Sequence, residues 1–286
     1  MKKIMLFSLI FIFILTACYF SASAATEKTE KEPAGVLTLV GVDEDTLNKV
    51  LDDIHVFDDL PYSGYKYFDN LNSMIMGLQS GVISMIATDE YTAGYLISRS
   101  DAFAALTSDA REEVYYNYAM VLREEDQALC GRISGAFDSM KTDGTLETLK
   151  KQYIDDCIAG TDPTAVEPAV FEGADTLTIA LTGDRPPMDY FSETGIPIGF
   201  NTALISEVAK RLGMNVQFIS IDSGARAISL SSGRTDIVFW TELGEFDDWE
   251  KGNSEDLPEH TIPTHPYLRG KDALVVLADS EFAARK

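Results

Sequence analysis

The segment from Thr176 to Thr241 constrains this fold more than any other part of the chain. Leu177–Leu181 is an alternating apolar run, the pattern of a strand. A polar, proline-containing turn follows at 183–187, and Gly195 punctuates a hairpin. Asn201 is placed to cap a helix whose apolar face is Leu204, Ile205, Val208, Ala209 and Leu212, and Gly213 is placed to stop it. Val216–Ile221 reads as a second strand, Ala225–Ser231 as a short helix ending at Gly233, and Thr235–Trp240 as a third strand. Strand, helix, strand, helix, strand predicts an α/β fold with a parallel sheet.

The first half of the chain carries a shorter version of the same pattern. Val36–Asp45 reads as a strand and turn, Thr46–Leu51 as the start of a helix, and Tyr65–Phe68 as a strand. Asn70–Gln79 is predicted helical, with Leu71, Met74, Ile75 and Leu78 on one face. Leu78-Gln79-Ser80-Gly81 then leads into a strand at Val82–Ala87, as Leu230-Ser231-Ser232-Gly233 leads into the strand near Asp236. A helix, a Ser-Gly turn and a strand, occurring twice, predict two similarly built lobes. Tyr91–Ser98 is a predicted helix and Val114–Arg123 a strand. Two helices follow, Asp126–Met140 and Gly144–Tyr153. Residues 161–174, with two prolines and small neighbours, read as a linker.

Lys2 and Lys3 precede an apolar run, Ile4–Leu15, that is too short to span a membrane and reads as an export signal over 1–18. Leu15-Thr16-Ala17-Cys18 resembles a bacterial lipobox, which implies that Cys18 is lipidated. The rival cleavage site is Ala22-Ser23-Ala24. The lipobox is preferred because the apolar core ends where it requires. Residues 19–35 read as a flexible tether. The expected location is the outer face of the cytoplasmic membrane, in the cell envelope, held by the lipid anchor.

The formal net charge of -23, from 46 acidic against 23 basic residues, argues against nucleic acid as a partner. The three histidines, His55, His260 and His265, lack metal-ligand spacing. Neither a nucleophile elbow nor a phosphate loop is present. No catalytic residue, metal or cofactor is therefore expected. Apart from Cys18 there are two cysteines, Cys130 and Cys157. The turn at Asp143-Gly144 makes their helices antiparallel, so a disulfide between them is the expectation, with buried thiols as the alternative.

The segments Arg185-Pro186-Pro187-Met188-Asp189-Tyr190, Gly199-Phe200, Ala209-Lys210-Arg211-Leu212-Gly213 and Leu230-Ser231-Ser232-Gly233-Arg234-Thr235-Asp236 occur in an order and spacing that resembles the bacterial extracellular solute-binding proteins of family 3. These are the amino-acid receptors of ABC importers. The resemblance implies a type II periplasmic-binding-protein-like fold, with two lobes, each a mixed or parallel sheet flanked by helices. It further implies a monomer that closes on a small polar ligand and docks on an ABC permease. Residues 36–160 are similar to the family's second lobe and terminal helical hairpin, and 175–286 to its first lobe. This rotated order implies a circular permutation. A truncated tandem repeat is the rival arrangement.

The site residues follow from the same resemblance. Asp89 matches the aspartate that takes a ligand ammonium, although its position before Glu90 also makes it a helix cap. Tyr190 and Trp240 stand where an aromatic wall is needed, and Asp189 belongs to the same motif. Two departures put the carboxylate subsite in question. The family's Thr-x-x-Arg becomes Thr241-Glu242-Leu243-Gly244, and its Gly-Thr-Thr turn becomes Asp45-Thr46-Leu47. Arg226, or else Arg185, is the candidate to supply the missing guanidinium, and Thr46 remains a candidate ligand contact. Enzymes of dehydratase or lytic type on the same scaffold, and a ligand-free surface or signalling module, are the alternative readings.

Overall fold

The structure, a computed structural model, describes residues 33–37, 64–106, 115–243 and 257–283. Cys18 and the export signal, the helix start at Thr46, and Gly244-Glu245 lie outside the described residues.

One half of the fold is built from β1 (Ala34–Leu37), β2 (Tyr65–Phe68), α1 (Leu71–Gln79), β3 (Met85–Asp89), α2 (Glu90–Arg99) and β4 (Phe103–Ala105). We call it lobe A. β1 begins within the stretch expected to be tether. The other half, lobe B, starts with α3 (Gln127–Asp143), α4 (Thr145–Lys150) and α5 (Asp156–Ile158). It continues with β6 (Thr176–Leu181), β7 (Asp184–Arg185), β8 (Asp189–Phe191), β9 (Pro197–Ile198), α6 (Phe200–Leu212), β10 (Asn215–Ser220), α7 (Arg226–Ser231), β11 (Ile237–Leu243) and β12 (Thr261–Pro263). Two long strands, β5 (Tyr115–Arg123) and β13 (Leu268–Leu277), connect the halves.

The two sheets repeat one plan. Lobe A has the order β2-β1-β3-β13 and lobe B the order β10-β6-β11-β5. In each, the first three strands are parallel and the fourth is antiparallel. β13 serves both lobes: Leu268–Lys271 pair with β5 at Tyr118–Tyr115, and Asp272–Val275 pair with β3. The pair of strands crossing between lobes is thus a two-stranded hinge. Two lobes of this order, joined by two crossing strands, make a type II periplasmic-binding-protein-like α/β fold.

The internal repeat extends to individual hydrogen bonds. Gly81 and Gly233 adopt φ of 73° and 70°, the left-handed region that suits glycine. The Gly81 amide donates to Leu78 O and the Gly233 amide to Leu230 O. The next amides, Val82 and Arg234, reach back to Gly77 O and Ser229 O. Each turn therefore reverses the chain and drops it into a central parallel strand.

Other local expectations shift. Asn201 is not the cap of α6: that position belongs to Gly199, while Asn201 lies inside the helix and uses its side chain elsewhere. Gly199 has φ 117°, and a Cβ there would lie 2.5 Å from Met188 O, so the close backbone approach requires glycine. Gly213 does end α6, at φ 66°.

The expected disulfide is corrected. Cys130 and Cys157 are free and buried. The Cys130 thiol faces Pro263 O on β12, whereas Cys157 sits beside Arg99 of α2. The second arm of the hairpin is not a straight antiparallel mate of α3. It passes through a π-helical turn at Lys151–Asp155 and packs its end toward α2, with Ile158 in contact range of Gly94.

Candidate functional site

β6 and β11 are central parallel strands of lobe B, and their C-terminal ends open toward lobe A. Open α/β sheets bind ligands at such ends. A cavity there is lined by Tyr118, Thr182, Arg185, Asp189, Arg226 and Trp240, among others. The free space is about 10 Å³, which is room for roughly one water.

Arg226 opens α7 and is 7% exposed. Its guanidinium stacks on Trp240, 5.0 Å from the ring centroid. Nε donates to Ser223 O and Nη1 to Phe239 O. Nη2 makes no hydrogen bond among the described residues. Burial, then the neighbouring Arg185 charge, lower the Arg226 pKa to about 10, which still leaves it cationic at neutral pH. Trp240 is both core and wall: it is buried, yet its ring forms part of the cavity.

Asp89, at the end of β3, is 3% exposed. Its Oδ1 accepts from the Tyr91 and Thr92 amides, capping α2, and its Oδ2 accepts from the Thr92 hydroxyl. Arg185, on β7 of lobe B, reaches across and donates from Nη2 to Asp89 Oδ2 at 3.0 Å. Burial works against the Arg185 charge, but Asp89 and its neighbours outweigh it and hold the pKa above the ordinary arginine value. The Arg185 Nε is buried without a hydrogen bond. Arg185, whose charge also acts on Arg226, thus already occupies the Asp89 carboxylate that the resemblance assigns to a ligand ammonium.

Asp189 lines the cavity, but its oxygens are committed. Oδ1 accepts from Thr182 Oγ1 and the Gly183 amide, and Oδ2 from Asn201 Nδ2. Asn201 in turn accepts from the Tyr267 hydroxyl. This buried network braces the β6–β7 turn against α6. Asp236 is structural: it accepts from the Thr178 amide and hydroxyl and from Arg123.

Further contacts close the cleft. The Leu71 amide at the start of α1 donates to Asp184 Oδ2, a favourable place for a carboxylate. Tyr190 of lobe B lies against Tyr95 of lobe A, with centroids 6.0 Å apart. Tyr91 donates to Arg269 O at the hinge. Thr46 lies outside the described residues, so nothing places it in the cleft.

Tyr118 was not singled out by the sequence, where it is one tyrosine in a strand-like run. It is 2% exposed, lines the cavity, and its hydroxyl makes no well-formed hydrogen bond among the described residues. Burial, then the nearby Asp89 charge, push its phenol well above the ordinary value. Asn201 and Thr182 were likewise unmarked as site residues. Their roles depend on β6, β8 and α6 meeting.

Residues 177–241 match the bacterial extracellular solute-binding proteins, family 3. The matched stretch runs from β6 to β11 and carries Arg185, Asp189, Tyr190, Arg226 and Trp240. No curated protein matches the chain. Among solved structures, it overlays on CbnR, a LysR family transcriptional regulator, at 10% identity and TM-score 0.44, covering 96% of this chain and 73% of that one. It overlays on the GluR0 ligand binding core complex with L-glutamate at 6% identity and TM-score 0.41, covering 87% and 86%. For the VFT2 domain of Bordetella pertussis BvgS the values are 14%, 0.39, 88% and 82%. These overlays are loose, and no site residue is assigned from them.

Proposed function

We propose that this chain is an extracytoplasmic solute-binding lipoprotein that captures a small polar ligand, amino-acid-like in size, between its lobes and delivers it to an ABC permease. The observation that carries the reading is the polar cavity at the C-terminal ends of β6 and β11, bounded by two buried guanidiniums, of which Arg185 is held by Asp89 of the other lobe across a two-stranded hinge. A hinge of this kind lets ligand contacts shift an open–closed balance, and closure presents a new surface to a partner. The family match over β6–β11 supports a ligand-binding role. The order of the elements, with lobe A first, supports a circular permutation of one bilobed receptor. The Leu15-Thr16-Ala17-Cys18 motif supports a lipid anchor at Cys18 and a place on the outer face of the cytoplasmic membrane.

The test is a thermal-shift screen of amino acids, dipeptides and organic acids, with membrane fractionation of Cys18→Ala beside it. A ligand present well above its Kd raises the melting temperature, by roughly 2.7 kcal/mol of added stability at a hundredfold excess. Stabilisation without turnover is expected. Turnover of a stabilising compound would favour the enzyme reading. A second reading has one observation in its favour: the cleft is filled by the protein's own ion pair, as a signalling or surface module without a ligand would allow. Failure of every compound in the screen would favour it.

A further inference from the structure

We infer that the cleft recognises a small organic anion with no need of an α-ammonium, and that Asp89 is a built-in stand-in for that anion's carboxylate on Arg185. This rests on the solute-binding reading and names its ligand class.

The groups left free around the cavity are donors. Arg185 Nε lacks a hydrogen bond among the described residues, and the Tyr118 hydroxyl, which faces the Asp89 carboxylate, makes no well-formed one. Arg226 Nη2 is unengaged, and the planar fork of a guanidinium suits a carboxylate. The carboxylates that face the two guanidiniums most directly are spent. Asp189 receives three hydrogen bonds, and Asp89 is held by two amides, a hydroxyl and Arg185. Asp184 gives Oδ2 to the start of α1 and keeps Oδ1 buried without a partner among the described residues, but it does not line the cavity. An ammonium entering this space would meet two cations and no uncommitted carboxylate.

The cavity has room for about one water, and Arg185 on its wall is held by Asp89 of lobe A, so a ligand reaches that guanidinium only when the lobes part. Parting the lobes breaks the Asp89–Arg185 pair. Leaving either charge buried alone would be costly. A ligand carboxylate that takes the place of Asp89 on Arg185 avoids that cost for the guanidinium when the lobes close again, while Asp89 keeps its helix-capping bonds.

Asp89→Asn separates this inference from the family's role for an ammonium-binding aspartate. Asparagine caps a helix about as well as aspartate, so α2 is preserved and only the competing charge is lost. The probes are succinate and L-aspartate, which share a carbon skeleton and differ in the ammonium. Calorimetry on the full-length chain is expected to show Asp89→Asn binding succinate about tenfold more tightly than the unmodified protein, and in preference to L-aspartate. Adding Arg226→Met should remove that binding, with the unfolding midpoint checked for each variant. Preference of the unmodified protein for L-aspartate, weakened by Asp89→Asn, would overturn the inference and leave the receptor reading standing. Absence of binding of both probes to Asp89→Asn at millimolar concentration would overturn it as well. The amino-acid and dipeptide screen would then decide the receptor reading separately.

Discussion

Asp236 shows how a single side chain ties two strands and a turn together. Burial disfavours its charge, but the Thr178 hydroxyl and amide and the Arg123 guanidinium outweigh burial and hold its carboxyl below the ordinary range. Arg123 also donates to Leu230 O and Thr235 O, so this pair fixes the end of α7 to β5. The sign of the pH effect follows. A carboxyl with a depressed folded pKa contributes stability above its unfolded value, near pH 3.9, and loses it as pH falls through the folded value. Urea unfolding midpoints should therefore decline below about pH 4. Asp236→Asn should be less stable at pH 7 and show a shallower decline. An unaltered decline in the variant would assign the acid sensitivity elsewhere. The Ser-Gly turn ahead of this aspartate and the strand after it were legible in the sequence. The aspartate's partners were not legible, since Thr178 and Arg123 lie 58 and 113 residues away.

At the level of elements, the Ser-Gly turn was the most readable signal, because it is local. Both glycines need positive φ, and no atom lies within 4 Å of a Cβ built on either. Substitution by alanine therefore adds conformational strain without a clash. Gly81→Ala and Gly233→Ala should each lower stability by about 1–2 kcal/mol, and by similar amounts, since the two turns share their hydrogen bonds. Denaturant titration measures this. A loss at one position more than twice that at the other would count against the two lobes being built alike. Asp89 was legible for the same local reason, as an aspartate between an apolar strand and a helix-forming segment. Arg185 as its partner was not, because the pairing joins residues 96 apart and requires both lobes. Asn201 was misread for a related reason. It is a good capping residue in the right neighbourhood, but Asp189 and Tyr267 engage its side chain once the tertiary structure forms. The cysteine pair failed at the π-helical turn, for which the hairpin sequence has no strong marker.

Among the described residues the two lobes are held against each other, and the reason lies in what crosses between them. The hinge strands pair at Tyr115–Tyr118 and Leu268–Lys271. Around them, the Asp89–Arg185 pair, the Leu71–Asp184 hydrogen bond and the Tyr95–Tyr190 contact each join one lobe to the other. Gly270 sits at the crossing point, where a Cβ would lie 2.9 Å from the Tyr118 ring and 3.2 Å from the Tyr91 ring. Tyr118 belongs to the crossing strand and Tyr91 to α2 of lobe A, so a methyl group there would wedge between hinge and lobe. Overpacking of this kind costs about 1–3 kcal/mol. That cost can be relieved by parting the lobes, since one of the two rings belongs to lobe A and the other to the crossing strand. Gly270→Ala is therefore expected to raise the radius of gyration in X-ray scattering while leaving the far-UV circular dichroism unchanged. High salt should not do the same, because the Asp89–Arg185 pair is shielded from solvent and screened much less than a surface pair. If Gly270→Ala stays compact and instead loses secondary structure, the crossing point belongs to the core of a lobe rather than to a hinge. If salt alone opens the molecule, exposed charges hold it shut and the buried pair does not.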